Sequence, residues 1–507
     1  MRFNLDSLSL EQKLFAAILA IGLAARLFCL FVLPDAALSD SLYHLGITRQ
    51  LVEAGTLPLD DPALHVPLYY IATALPFMAL PVPFTLASAK LFPLAFSGLQ
   101  LFLAFVLLRR IFPKNYLPGL AFVAVHPLLV IFGAVNYVET FASIFVLLCF
   151  YIYWRFAQTG ERIFLYAMPF AIAAAALSKL SATILVPAFF LAFLYELLKG
   201  KHASGQGKQE RVKGIALFVA LTALLIIPWF AFSFANGTGF FASQQDLEIA
   251  ASSPAVAGLS PESLLMLPAG FNESFWFFLS RSIGSVSLPF SPSAAFLLFS
   301  VVTGPVLILV FYGLTKGLAS RERHSIVLLL CFALMAVLLA ARGTKFIHSR
   351  LMVPAIPLFG IAVSNAFVHL RNVNWRRLLL FLFLLTALYS LAFSCFYSMH
   401  FAQDNSRHLP LYEFIKGLPQ NSVVAVHPNK ARQVEFIAGR AAFPYKAAFS
   451  EMDSSQLYAE LNALGITHVA ATCYKNPWGM QAIDEMLTLE LLGQVYADEC
   501  STVYMVK

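Results

Sequence analysis

Charge is scarce in this sequence. Asp, Glu, Lys and Arg make up 12% of its 507 residues, 59% are hydrophobic, and the mean hydropathy is +0.75. That balance excludes an ordinary water-soluble globular protein and points to a polytopic membrane protein. A basic patch is missing as well. The net charge of +7 is scattered over short loops that flank apolar runs. These hold Arg109, Arg110 and Lys114, then Lys199 to Lys213, Lys316 to Arg323, and Arg371, Arg376 and Arg377. This is the positive-inside pattern, and it excludes nucleic acid as a partner. No His, Cys and carboxylate spacing suits zinc, so a divalent metal has no support in the sequence. Aromatics, by contrast, are abundant: 49 Phe and 18 Tyr suit lipid-facing helices and interfacial belts.

Eleven apolar runs are long enough to span a bilayer. They fall at 14–33, 86–109, 116–134, 139–156, 163–178, 181–198, 214–234, 291–315, 325–342, 351–370 and 378–398. The first reads as a signal anchor that stays on the mature chain, because it is long and no small-residue cleavage site ends it. A twelfth run, 66–84, contains Pro67, Pro76, Pro81 and Pro83. With a cytoplasmic amino terminus, an odd number of crossings must separate residue 40 from Arg109 and Arg110, so 66–84 lies at the interface. The first loop 34–85, the long loop 235–290 and the tail 399–507 then share the outer face with turns at 135–139, 179–180 and 343–350. Any chemistry belongs there. The expected fold is an all-α polytopic membrane domain, 1–398, followed by a small extracytoplasmic α/β domain, 399–507.

The tail alternates strand and helix patterns: SVVAVHP, SSQLYAELNALGI, THVAATCY, AIDEMLTLELL and STVYMVK. It lacks a Gly-rich phosphate loop and a nucleophile elbow, which favours a binding or lid role. Of the six cysteines, Cys29, Cys149, Cys331 and Cys395 lie in apolar runs as small packed side chains. Cys473 and Cys500 both fall in the outer domain, where an oxidising compartment would allow a disulfide.

Several residues could serve chemistry at the outer surface. Asp40 follows the first span and precedes Tyr43 and His44, so it could accept a proton from a hydroxyl nucleophile; a solvated loop acid is the alternative. Glu139 opens a span after a short outer turn, where the helix dipole also favours an acid as a cap. Lys179 interrupts two spans at an outer turn, placed to reach a phosphate or to snorkel to headgroups. Arg342, Lys345, His348 and Arg350 gather four basic groups on the side where cations are disfavoured, and they suit a phosphate or anionic lipid. His65 precedes Pro67, Tyr69 and Tyr70 and could face the same pocket. Arg26 lies within the first span, and a cation there usually has a partner or a purpose.

The order of these segments resembles the GT-C class of integral membrane glycosyltransferases, in the branch of protein O-mannosyltransferases and lipid A aminoarabinose transferases. The resemblance rests on a first span with an internal Arg, then SDSLYHLGITRQLVEAG, HVPLYYIATAL, HPLLVIFGAVNYVETF, LSKLSATILVPAFF and KFIHSRLMVPAIPLFGIAVS. It covers most of 1–370. It implies Asp40 as the base that deprotonates the acceptor, Glu139 as the second acidic position, and Arg350 as the late basic residue. Lys179, Lys345 and His348 match more weakly. Leu351 stands where relatives carry an aromatic, and Ser41 where many carry a second acid. The implied donor is a polyprenyl-phosphate sugar, attacked with inversion at its anomeric carbon. The acceptor stays open between lipid, glycan and protein.

Two other readings compete. A transporter or lipid flippase would show internal repeats and polar groups near mid-membrane, whereas these candidates gather at the outer ends. An O-antigen ligase or polymerase would share the outer site and differ in acceptor.

Overall fold

The computed structural model describes residues 9–33, 39–57, 67–80, 82–199, 208–235, 306, 308–341, 353–426, 428–444, 452–472 and 480–507. Among the described residues five helices are long and apolar enough to cross a membrane: Leu10–Val32, Leu86–Ile111, Val138–Thr159, Val212–Phe232 and Val373–Gly417. Seven shorter apolar helices, of 10–17 residues, accompany them. One of these, Leu68–Ala79, answers to the proline-broken run 66–84. Its 12 residues reach about 18 Å, well short of a ~30 Å hydrocarbon core. The chain has an integral membrane fold.

The elements up to the long loop are α1 (Leu10–Val32), α2 (Ser39–Ala54), α3 (Leu68–Ala79), α4 (Leu86–Ala89), α5 (Leu91–Ile111), α6 (Tyr116–Val125), α7 (Pro127–Phe132), α8 (Val138–Thr159), α9 (Arg162–Ala176), α10 (Leu180–Thr183), α11 (Val186–Lys199) and α12 (Lys208–Ala235). The chain forms two compact units. One comprises Met1–Leu30 with Gln50–Tyr397, the other Phe31–Arg49 with Ser398–Lys507.

The first unit is a helical bundle around α8, which is buried along most of its length. Close helix approach depends on residues without side chains. A Cβ on Gly119 of α6 would lie 2.1 Å from the Gly360 carbonyl oxygen, and one on Gly313 would lie 1.9 Å from that of Ala362. Small residues at such crossings let backbones meet, which is how helices associate where water supplies no driving force. The run expected as one span at 116–134 is two helices. Pro127 cannot donate an amide, and its ring pushes the preceding residue away from helical geometry; His126 accordingly sits at φ −59°, ψ 124°.

In the second unit a five-stranded sheet has the order β2-β1-β3-β5-β4, with β1 Val423–Val426, β2 Ala441–Pro444, β3 His468–Thr472, β4 Leu492–Ala497 and β5 Ser501–Val506. β1 pairs in parallel with β2 and β3, while β5 runs antiparallel to β3 and β4. Side-chain alternation divides the sheet between two cores. Ala425, Val469 and Tyr504 face Leu457, Leu461, Ile483 and Met486 of the helices Ser454–Ala463 and Met480–Thr488. Val424, Val426, Ala470 and Val503 face Leu411, Tyr412 and Ile415 near the end of the helix Val373–Gly417. That helix, expected to stop near 398, runs on to Gly417, 45 residues in all, and supplies one face of the sheet's cover. Arg440 donates to the carbonyl oxygens of Lys416 and Leu418, closing its carboxyl end.

Candidate functional site

Within the first unit the structure joins three segments that are far apart in sequence. α8 begins at Val138, which puts Glu139 in the first helical turn. α9 ends at Ala176, and Leu177, Ser178 and Lys179 form the turn into α10. The Lys179 Nζ lies 2.9 Å from Glu139 Oε1, with side-chain exposures of 8% and 0%. The turn around Lys179 is braced by its own carbonyl, which accepts from the amides of Ala182 and Thr183. The third segment arrives through α3, whose Leu68 amide donates to the Leu177 carbonyl. Next to it Tyr69 is buried, with its ring 5.7 Å from that of Phe141, two residues past Glu139.

A buried carboxylate at a helix amino terminus gains from the dipole and from its ion pair. The ammonium in turn is already balanced. An anion arriving here would therefore meet a cation that can exchange partners, rather than an open basic patch.

Asp40 is the second residue of α2, in that helix's first turn. Tyr43 and His44 follow at i+3 and i+4, so all three positions share one helix face. The rings of Tyr43 and His44 meet edge to face at 5.7 Å, and His44 is buried. α2 up to Arg49 belongs to the second unit, whereas Glu139 and Lys179 belong to the first. His65, Arg342, Lys345, His348, Arg350 and Cys473 lie outside the described residues. Cys500 is disulfide-bonded, whereas Cys29, Cys149, Cys331 and Cys395 are thiols. Among the described residues no group of three or more His, Cys, Asp or Glu could hold a metal ion.

Arg26 is fully buried and has four hydrogen bonds, none to a carboxylate. Its Nε donates to Ser97 Oγ at 2.5 Å, Nη1 to the carbonyls of Gly22 and Ala124 at 2.9 and 2.6 Å, and Nη2 to that of Val123 at 3.2 Å. The partner expected for this cation is thus the end of a broken helix.

A second polar cluster escaped the sequence reading. It lies where α11 ends and the helix Arg323–Ala341 begins. Arg323 Nη1 sits 2.5 Å from Glu196 Oε2. Beside it, Glu322 lies 3.1 Å from His324 Nε2 and 3.4 Å from His369 Nε2, and it accepts from Asn365 Nδ2 at 2.9 Å. The His324 contact above all, then Asn365 and the charge of His369, hold the Glu322 carboxyl down at about 2 against the upward pull of burial. A single acid inside LAFLYELLK was the available signal, since a carboxylate in an apolar helix needs a partner. In the tail, burial raises the Asp498 carboxyl, but bonds from Tyr496 and the amides of Cys500 and Ser501 bring it below its ordinary value.

Solved structures share this architecture. ArnT from Cupriavidus metallidurans in the apo state aligns with a TM-score of 0.60 at 15% identity, over 98% of both chains. The same protein bound to undecaprenyl phosphate gives 0.58 at 14%, over 97% of both. The Archaeoglobus fulgidus oligosaccharyltransferase tethered to an acceptor peptide gives 0.59 at 12%, over 97% of this chain and 74% of that one. No family model matches the sequence, and no curated protein matches it. The chain shares its fold with ArnT and with the archaeal oligosaccharyltransferase. Likeness to ArnT extends through the tail as well as the helical bundle.

Proposed function

We propose that this chain is a membrane glycosyltransferase that moves a sugar from a polyprenyl-phosphate donor to an acceptor on the outer face of the plasma membrane. The observation that carries the reading is the end-to-end likeness to ArnT, a structure of which holds undecaprenyl phosphate. An archaeal oligosaccharyltransferase of the same fold holds a dolichol phosphate with an inhibitory peptide. In this reading the amino terminus is cytoplasmic and the α/β domain extracytoplasmic.

Asp40 takes the proton from the acceptor as its oxygen or nitrogen attacks the anomeric carbon. The bond from that carbon to the phosphate oxygen breaks on the opposite side, with inversion, and the electron pair leaves on the lipid phosphate. Stabilising that charge is the largest service a site can offer such a reaction. Lys179, Lys345, His348 and Arg350 supply it, while Glu139 keeps Lys179 in place until the phosphate arrives. Tyr43, His44 and His65 line the approach for sugar or acceptor. The disulfide of Cys500 is assigned to Cys473.

Transfer from a panel of radiolabelled polyprenyl-phosphate sugars, in membranes that contain candidate acceptors, tests the proposal. Wild type should transfer with one donor, and Asp40→Asn and Arg350→Ala should each lose about a hundredfold or more with expression unchanged. Transfer undiminished in Asp40→Asn would remove the base assignment, and no transfer from any donor would remove the reading.

A further inference from the structure

Arg26 presents an unusual combination. A guanidinium with no exposure is costly to bury, and here no carboxylate offsets it; neutral oxygens do all the work. Two of those oxygens have a specific origin. An unbroken helix would satisfy the Val123 carbonyl with the amide of residue 127, which is proline. Arg26 Nη2 donates there instead, and Nη1 donates to the next carbonyl, Ala124. The side chain thus replaces the missing donors of the α6 to α7 break.

Of its two other bonds, to the Gly22 carbonyl and to Ser97 Oγ, the second leads onward to the candidate site. Ser97 Oγ, which accepts from Arg26 Nε, stands where a Cβ on Gly133 would lie 2.3 Å away. Gly133 closes α7 and opens the turn to α8. One helical turn along α5 from Ser97, Gln100 donates to Ser143 Oγ, which donates to the Thr140 carbonyl at 2.6 Å. Thr140 Oγ1 donates back to the Phe132 carbonyl at 2.9 Å. Both ends of the 133–137 turn are therefore fixed by buried polar contacts, and the residue after Val138 is Glu139.

We propose that Arg26 is a positioning residue: by occupying the carbonyls stranded at Pro127 and holding Ser97 against Gly133, it sets the turn that places Glu139 on Lys179. Its relevance to catalysis rests on the reading above, but the placement itself can be tested without an activity. The full chain in nanodiscs is labelled with an amine-reactive reagent, and each lysine is read by peptide mass spectrometry below the unfolding midpoint. Glu139→Gln supplies the reference for a Lys179 without its partner. Arg26→Met is expected to raise Lys179 labelling about tenfold towards that reference, while Lys90 and Lys114 hold their wild-type rates. Arg26→Lys, which keeps charge and donors, should recover part of the protection. Pro127→Ala added to Arg26→Met should recover part of it too, by restoring a backbone donor to Val123. Unchanged Lys179 labelling in Arg26→Met, or an equal rise at all three lysines, would overturn the assignment. Should placement hold while transfer is absent from wild type, only the functional reading fails.

Discussion

Two ion pairs lie towards opposite ends of the α10 to α11 stretch, and they are built differently. Glu139 and Lys179 are a dry pair, almost without exposure. At the other end Arg323 is 34% exposed on its side chain against 2% for Glu196, and the residue before it, Glu322, meets two imidazoles and Asn365. The second pair is partly open to solvent on its Arg323 side, where screening weakens a single contact. The first is closed to solvent at both partners. A buried pair of that kind is weak evidence for stability, because well-packed apolar residues serve as well or better. Its presence in the bundle therefore suits a site whose charges are used.

The largest effect expected from this contrast is at the dry pair. Glu139→Gln or Lys179→Met alone removes one half of the buried pair and should cost about 3–5 kcal/mol. Glu139→Met with Lys179→Met should recover most of that loss in a thermal or denaturant unfolding measurement. Single variants within ~1 kcal/mol of wild type would show that water reaches the pair and would erase the distinction between the two ends.

The effect at the open cluster is smaller and depends on pH. The folded Glu322 carboxyl is held at about 2 against an ordinary 4.5, so its stabilising contribution is complete above 4.5 and fades as pH falls from there towards 2. Glu322→Gln lacks that contribution. The gap in unfolding midpoint between wild type and Glu322→Gln should accordingly narrow between about pH 6 and about pH 3. A gap that stays constant would mean the imidazoles and Asn365 do not act through the charge.

The sequence made the membrane class, the order of apolar runs and the tail's alternation legible, because each is a matter of composition and period. SVVAVHP, THVAATCY and STVYMVK became β1, β3 and β5, whereas β2 and β4 passed unnoticed, one short and one polar in its pattern. The extent of the last helix was not legible either, since QDNSRHLPLYEF reads as loop until Leu411, Tyr412 and Ile415 are seen packed against a sheet. Glu139 and Lys179 were each visible as ionisable groups at the ends of apolar runs. That they meet was not, because hydropathy fixes neither the rotation of a helix nor which helices are neighbours. Arg26 was visible as a buried cation, but its partners are main-chain carbonyls, which no residue pattern announces unless Pro127 is read as a broken helix.

The claim most exposed to test is that the Glu139–Lys179 pair serves transfer rather than packing. Exchanging the two, Glu139→Lys with Lys179→Glu, keeps a pair of opposite charges in the same place, at a cost near the α8 dipole of about 0.3–1 kcal/mol. The exchanged protein is expected to unfold close to the wild-type midpoint and to transfer no sugar from the donor that wild type uses. Wild-type transfer by the exchanged protein would contradict a role for the pair in transfer.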